Sequence, residues 1–289
     1  MNKLTNIREY WVKLKKEFPE PMNFKTIKEL DFNVLKDKVT KNDISYIQEF
    51  IYETYVKSTV YILKNAMSKK TKDLVFKILD ESFNSEPSFH KMLDGCPNFH
   101  RIIDEKVAKK YSVYSIKHSF YLYHWNVQDD DQKKLFEEIY DHWRIIKYLG
   151  GNEPNAYEKN IPSDGVVDRI QIVHYPSGAG ELRSHKDPIK NQNIITGVML
   201  TKKGDAFQEG GNYFVDEKGK EFNIENQLDI GDSATFYGTL VHGVKKIDPK
   251  TKLDWQSKKG RWFLSMFCND SDAIQKRVTA VDLSNTIKN

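Results

Sequence analysis

His185 and Asp187 stand at i and i+2 in a segment that follows the glycine-bearing stretch Tyr175-Pro-Ser-Gly-Ala-Gly180. In extended backbone alternate side chains share a face, so this imidazole and this carboxylate point the same way, a few ångströms apart, as gripping a metal requires. Gly178 and Gly180 let the chain turn sharply into the segment. A chain with eight histidines and this acid content contains about one His-x-acid triplet by chance, so the pair gains meaning only from a ligand elsewhere. His242, in Thr239-Leu-Val-His-Gly-Val244, is the natural third ligand, because it lies in a later β-rich run preceded by the turn Gly231-Asp232. Two imidazoles and one carboxylate on a single face leave three positions of an octahedral ion open.

The elements that must hold these ligands are short. Beyond Pro154 and Pro162 come the β-rich runs Arg169–Tyr175, Ile194–Lys202, Gly211–Val215, Ser233–Tyr237, Leu240–Ile247 and Arg261–Cys268. Turn signals such as Lys203-Gly-Asp205, Glu217-Lys-Gly219 and Ile230-Gly-Asp232 separate them, which predicts an antiparallel sandwich or jelly roll. The first half reads as mainly helical. Thr40-Lys-Asn-Asp43 caps a helix carrying Ile44, Ile47, Ile51 and Tyr55. A second helix runs from about Thr71 to Leu79, with Leu74 and Ile78 on one face, and continues toward Ser82. Asp129-Asp-Asp131 caps a third, whose buried stripe is Leu135, Ile139, Trp143 and Ile146 and which Gly150-Gly151 ends. Residues 111–125 are aromatic and β-branched and predict one extra strand, with Ile116, His118, Phe120 and Leu122 on one face. The fold class is therefore α+β: residues 1–160, mainly helical, packed in one folding unit against a jelly roll of residues 161–289.

Composition narrows the function classes. The chain has 289 residues, 39% hydrophobic and 12% aromatic, enough for a large core. Its 45 basic and 41 acidic residues give a net charge of +4 and are interspersed, which does not point to nucleic acid. Cys96 and Cys268 are far apart and lack Cys-x-x-Cys spacing, arguing against a disulfide framework or a thiolate zinc site. The opening residues lack an apolar signal core, and no run approaches the ~20 apolar residues of a membrane span. A soluble, intracellular protein is expected, with no membrane partner. Its oligomeric state is left open.

Two histidines and a carboxylate are the facial triad of non-haem Fe(II) oxygenases, and residues 168–268 resemble the double-stranded β-helix of the Fe(II)/2-oxoglutarate-dependent dioxygenases, closest in motif style to the prolyl hydroxylases. The matching pieces occur in order: Tyr175-Pro-Ser-Gly-Ala-Gly ahead of His185-Lys-Asp187, Glu209-Gly-Gly-Asn-Tyr-Phe, Ile230-Gly-Asp-Ser-Ala-Thr-Phe, Val241-His-Gly-Val, and Gly260-Arg-Trp-Phe-Leu-Ser-Met-Phe. The resemblance implies that His185, Asp187 and His242 hold Fe(II). It also implies that Arg261 forms a bidentate salt bridge to the distal carboxylate of 2-oxoglutarate, to which the Tyr175 hydroxyl donates. O2 would complete the set, and oxidative decarboxylation of the co-substrate would drive oxidation of a substrate C–H bond. Relatives that halogenate carry a small residue at the carboxylate position; Asp187 fills it, favouring hydroxylation, desaturation or oxidative cyclisation of the kind seen for kainoids.

Arg183 shares alternation parity with His185 and Asp187, so it could reach the cavity and receive an anionic group. A small, carboxylate-bearing substrate, an amino acid derivative or natural-product intermediate, is the expected partner. The remaining histidines, His90, His100, His118, His124, His142 and His174, read mainly as structural or surface groups. The competing readings are a prolyl hydroxylase acting on a peptide or protein, a non-catalytic jelly-roll binding protein, and a zinc hydrolase or isomerase using the same three ligands.

Overall fold

In the computed structural model, residues 3–284 are described. The elements run, in chain order, α1 (Lys3–Glu17), β1 (Thr26–Asp31), α2 (Phe32–Thr40), α3 (Ile44–Tyr55), β2 (Thr59–Lys64), α4 (Thr71–Asn84), β3 (Phe99–Ile103), α5 (Glu105–Ala108), β4 (Ser115–Leu122) and α6 (Asp130–Leu149). Nine strands follow: β5 (Val166–Pro176), β6 (Glu181–Lys186), β7 (Ile194–Met199), β8 (Gly211–Val215), β9 (Glu221–Asn223), β10 (Ser233–Tyr237), β11 (His242–Lys245), β12 (Gly260–Asp270) and β13 (Val281–Asp282).

From β5 onward, apart from the β8–β9 hairpin, successive strands alternate between two facing layers, the pattern of a jelly roll. One layer has the order β10-β7-β12-β5 and the other β6-β11-β8-β9. The longest ladder joins β5 to β12, pairing Val166 with Asp270 at one end and Pro176 with Gly260 at the other. β4 bridges the layers: Ser115 and Ile116 pair with β6, while His118 to Leu122 pair with β5. That strand was expected. The other strands of the first half were not: β1 and β2 extend the large layer beyond β10, and β3 pairs with β4. Val60 to Leu63 form a short, fully buried apolar run, a pattern that periodicity alone cannot tell from a helix segment.

The helices cover the outside of the large layer. Asp43 and Asp129 cap α3 and α6 by accepting from the backbone N–H of Tyr46 and Gln132. The stripe Leu135, Ile139, Trp143 and Ile146 is buried throughout. On α4 the buried face is Val75, Leu79 and Phe83; Leu74 and Ile78, the pair expected there, flank it and are partly buried. Trp11 of α1 stacks on Tyr237 of β10 and donates its indole N–H to the Leu149 carbonyl (2.8 Å), tying α1 to β10 and to the end of α6. Among the described residues no helix is long and apolar enough to cross a membrane.

On the outer face of β3, β4 and β5 lies a stacked layer of His100, His118, His174, Phe120 and Trp262, closed by Phe83 of α4. Burial pushes the imidazoles of His100, His118 and His174 down from 6.5 to about 4, about 2 and about 3. They are neutral in the fold and protonate more readily when it opens, so stability is complete above about pH 6.5 and falls as the pH drops below it. Each imidazole that stays neutral removes about 2 kcal/mol by about pH 5. Urea midpoints should stay nearly level from pH 7.5 to about 6.5 and fall steadily from there to pH 5; a flat profile throughout would contradict this account of the layer.

Candidate active site

β6 and β11 are neighbours in the small layer, with His185 directly opposite His242. Their ring centroids are 4.2 Å apart. His185 Nδ1 lies 2.9 Å from the Arg183 carbonyl and His242 Nδ1 lies 2.9 Å from the Leu240 carbonyl. A carbonyl only accepts, so each Nδ1 carries the proton and each Nε2 presents a lone pair. Both lone pairs are directed at Asp187: His185 Nε2 is 3.6 Å from Oδ1 and His242 Nε2 is 3.5 Å from Oδ2. Asp187 sits one residue beyond β6, where its backbone N–H donates to the Gly238 carbonyl (2.8 Å). All three side chains are buried and their donor atoms lie within 4.8 Å of one another. A six-coordinate ion with bonds of roughly 2.1 Å sets neighbouring donors about 3 Å apart, and the two histidine–carboxylate separations of 3.6 and 3.5 Å are close to that spacing.

The electrostatics suit a cation. Burial and the adjacent His185 push His242 down to about 4, keeping it the neutral ligand a metal needs. Burial opposes charge on Asp187, but the facing imidazoles of His185 and His242 and the positive charge of Lys117 outweigh it and hold the carboxyl below its ordinary range.

Arg261 and Tyr175 face one another across the β5–β12 ladder and line the same cavity as the three ligands. The Tyr175 hydroxyl is buried and has no hydrogen-bond partner, and burial pushes its ionisation far up, so it is an unspent donor. Arg261 is buried as well. Its Nε donates to Glu225 Oε1 (2.8 Å) and its Nη2 points at Met199 Sδ (3.2 Å). Glu225 therefore occupies the Nε side of the fork, and a carboxylate can be met only at the Nη ends. Glu225 is itself held by the Asn212 backbone N–H (2.6 Å). An orphaned phenol beside a guanidinium end, in a cavity with the metal ligands, fits a dicarboxylate co-substrate. Glycine is required on the approach: a Cβ on Gly180 would lie 2.5 Å from the Tyr175 carbonyl carbon, and Gly178 has φ +101°. This is where the turn into β6 folds back on β5.

The cavity is about 620 Å³ and lies between the two layers, roofed by residues 89–123 and by the C-terminal segment 272–280. Asn212, whose side-chain oxygen is orphaned, and the cations Arg101, Lys117 and Arg169 line it. Sequence reasoning missed these residues and Glu225. Ser115, Lys117 and Tyr121, at odd-numbered positions of β4, face the cavity, and with β4 recognised as a strand that alternation could have found Lys117. Arg183, by contrast, does not enter the cavity. It is exposed, with its guanidinium 4.2 Å from the Tyr114 ring. The expectation assumed unbroken alternation, but β6 is bulged. His185 pairs with His242 while Leu182 pairs with Val244, and this extra residue turns Arg183 out.

No family model matches the chain, and no curated protein matches its sequence. Solved structures do match. A full-length Neurospora crassa protein in complex with alpha-KG (2-oxoglutarate) is 14% identical and has a TM-score of 0.50 over 90% of this chain and 94% of its own. The same protein with alpha-KG and 5-formyluracil matches over the same shares, also at 14% identity and TM-score 0.50. A protein of Caulobacter crescentus described as of the 2OG-Fe(II) oxygenase family is 16% identical, with a TM-score of 0.50 over 85% of this chain and 87% of its own. The chain has the fold of the 2-oxoglutarate–Fe(II) oxygenases. The buried His-Asp-His set is the donor chemistry that goes with that fold.

Replacing Asp187 with Ala removes the carboxylate and leaves two imidazoles. Mn(II) or Fe(II) affinity, titrated anaerobically, should fall by at least about 100-fold, given that even outer partners of ligands are worth about 10–100-fold. Unchanged affinity would show that the metal binds elsewhere.

Proposed function

We propose that the chain is an Fe(II)/2-oxoglutarate-dependent oxygenase that oxidises a C–H bond of a small molecule. The observation that carries this is the convergence, in one cavity, of two inward imidazole lone pairs, the Asp187 carboxylate, the Nη ends of Arg261 and the unpartnered Tyr175 hydroxyl. His185, Asp187 and His242 would hold the metal. Arg261, steadied by Glu225, and Tyr175 would take the distal carboxylate of the co-substrate. When bound, the metal and 2-oxoglutarate would supply an oxidant made from O2, the co-substrate being consumed to succinate and carbon dioxide. The protein's own work is positional: the backbone carbonyls of Arg183 and Leu240 fix both imidazoles, and Phe214 and Phe236 pack against His242, with ring centroids 5.6 and 4.7 Å away. With Asp187 occupying the third protein position, hydroxylation, desaturation or cyclisation is favoured over halogenation. The roof over the cavity favours a small molecule over a peptide.

Succinate release should depend on Fe(II), O2 and 2-oxoglutarate together and should rise with the right member of a panel of small metabolites. Stimulation by proline-containing peptides alone would overturn the small-molecule assignment. Arg261→Ala should raise the 2-oxoglutarate concentration for half-maximal release by about 10–100-fold, the value of one charge-assisted hydrogen-bonding group. An unchanged requirement would remove Arg261 from the site.

A further inference from the structure

The cations in the cavity are not equivalent. Arg277 is paired with Asp272 and Arg261 with Glu225. Lys117 and Arg169 have no carboxylate within ion-pair distance among the described residues, and neither has Arg101. Arg169 makes one long hydrogen bond, to Gln171 Oε1 (3.4 Å), and its Nε is buried without a partner. Its guanidinium is held between the rings of Tyr121 and Phe267, 5.4 and 5.9 Å from their centroids. Arg101 is stacked in the same way between Phe89 and Tyr111, at 4.0 and 5.1 Å. Lys117 lines the same cavity as Asp187 and Arg169 and is near enough to both for their charges to act on its ammonium. Like charges gathered in a half-buried cavity without counter-ions are unfavourable unless a ligand supplies the opposite charge.

The ladder fixes their position relative to the co-substrate end. Arg261 pairs with Tyr175 and Phe267 with Arg169, so the two ends are six residues apart along paired strands, roughly 20 Å of backbone. We propose that Lys117 and Arg169, with Arg101 behind them, form an oxyanion-binding subsite that anchors a carboxylate or phosphate of the substrate and thereby directs its C–H bond to the metal. The subsite rests on the oxygenase reading only for what lies at its other end. Lys117 takes the charge nearest the metal, and Arg169, its plane set by two rings, offers the fork that recognises a planar or tetrahedral oxyanion. The cavity thus presents one arginine already balanced by an acid at the co-substrate end and three unbalanced cations, Lys117, Arg169 and Arg101, at the substrate end.

The test is calorimetric titration of the full chain, loaded with Mn(II) and saturating 2-oxoglutarate, with phenyl phosphate, phenylacetate and neutral phenylacetamide. At least one anion should bind about tenfold or more tightly than the amide, and whichever anion binds best names the oxyanion source. Lys117→Gln and Arg169→Gln should each lower anion affinity about tenfold while leaving the amide unchanged, and Arg169→Lys should recover part of it. Thermal unfolding of each variant shows whether it is folded, and Arg169→Lys keeps the test valid if a glutamine variant is not. Equal affinity for anions and amide, failure of both anions to bind, or wild-type anion affinity in the folded variants overturns the proposal. 2-Oxoglutarate binding, titrated separately, distinguishes the two readings: its absence from a chain that still binds the anions removes the oxygenase reading and leaves the subsite standing.

Discussion

The site depends on two backbone carbonyls that fix two protons. Because Arg183 and Leu240 accept from the Nδ1–H of His185 and His242, both imidazoles are held as the tautomer whose free lone pair faces inward. That arrangement requires β6 and β11 to be hydrogen-bonded neighbours although other strands separate them in sequence. The alternation of strands between two layers makes them so. Much of the remaining fold keeps those layers in place: β4 joins them, the eleven-residue β5–β12 ladder stiffens one of them, and α1, α3 and α6 cover its outer face.

Charge is distributed along the cavity in a way that follows from the same ladder. At one end the Arg261–Glu225 pair is close to neutral and leaves only the Nη ends of the guanidinium exposed to a ligand. At the His185-Asp187-His242 set, burial and the neighbouring His185 keep His242 neutral, while the Asp187 carboxyl is held below its ordinary range. The same cavity holds Lys117, Arg169 and Arg101, with which no acid among the described residues forms an ion pair. A buried acid beside Arg261 is a structural device as well as a chemical one, because Glu225 also receives the Asn212 N–H and so links the end of the cavity to β8.

The sequence was legible where pattern and spacing are local. The caps at Asp43 and Asp129, the stripe on α6 and the runs of the jelly roll all depend on residues a few positions apart, and they folded as their periods require. His185, Asp187 and His242 were legible because a tight turn and ordered β-runs place them. Arg183 failed for the same reason that the other side chains succeeded: parity holds only while a strand is regular, and the bulge between Leu182 and His185 breaks it. Glu225 opens a short 3-10 turn, Glu225–Gln227, without any motif, and its partnership with Arg261 is purely tertiary. β1 and β3 are short and carry charged residues, so they gave little signal before β2 and β4 were known to receive them.

The measurement closest to the central claim is an anaerobic titration of Fe(II) and 2-oxoglutarate into the folded chain, followed by visible absorption. A co-substrate chelated to iron at His185, Asp187 and His242 should give a metal-to-ligand charge-transfer band that appears only with both additions and is lost in Asp187→Ala. A folded wild-type chain with no such band, or a band that survives in Asp187→Ala, would contradict the account.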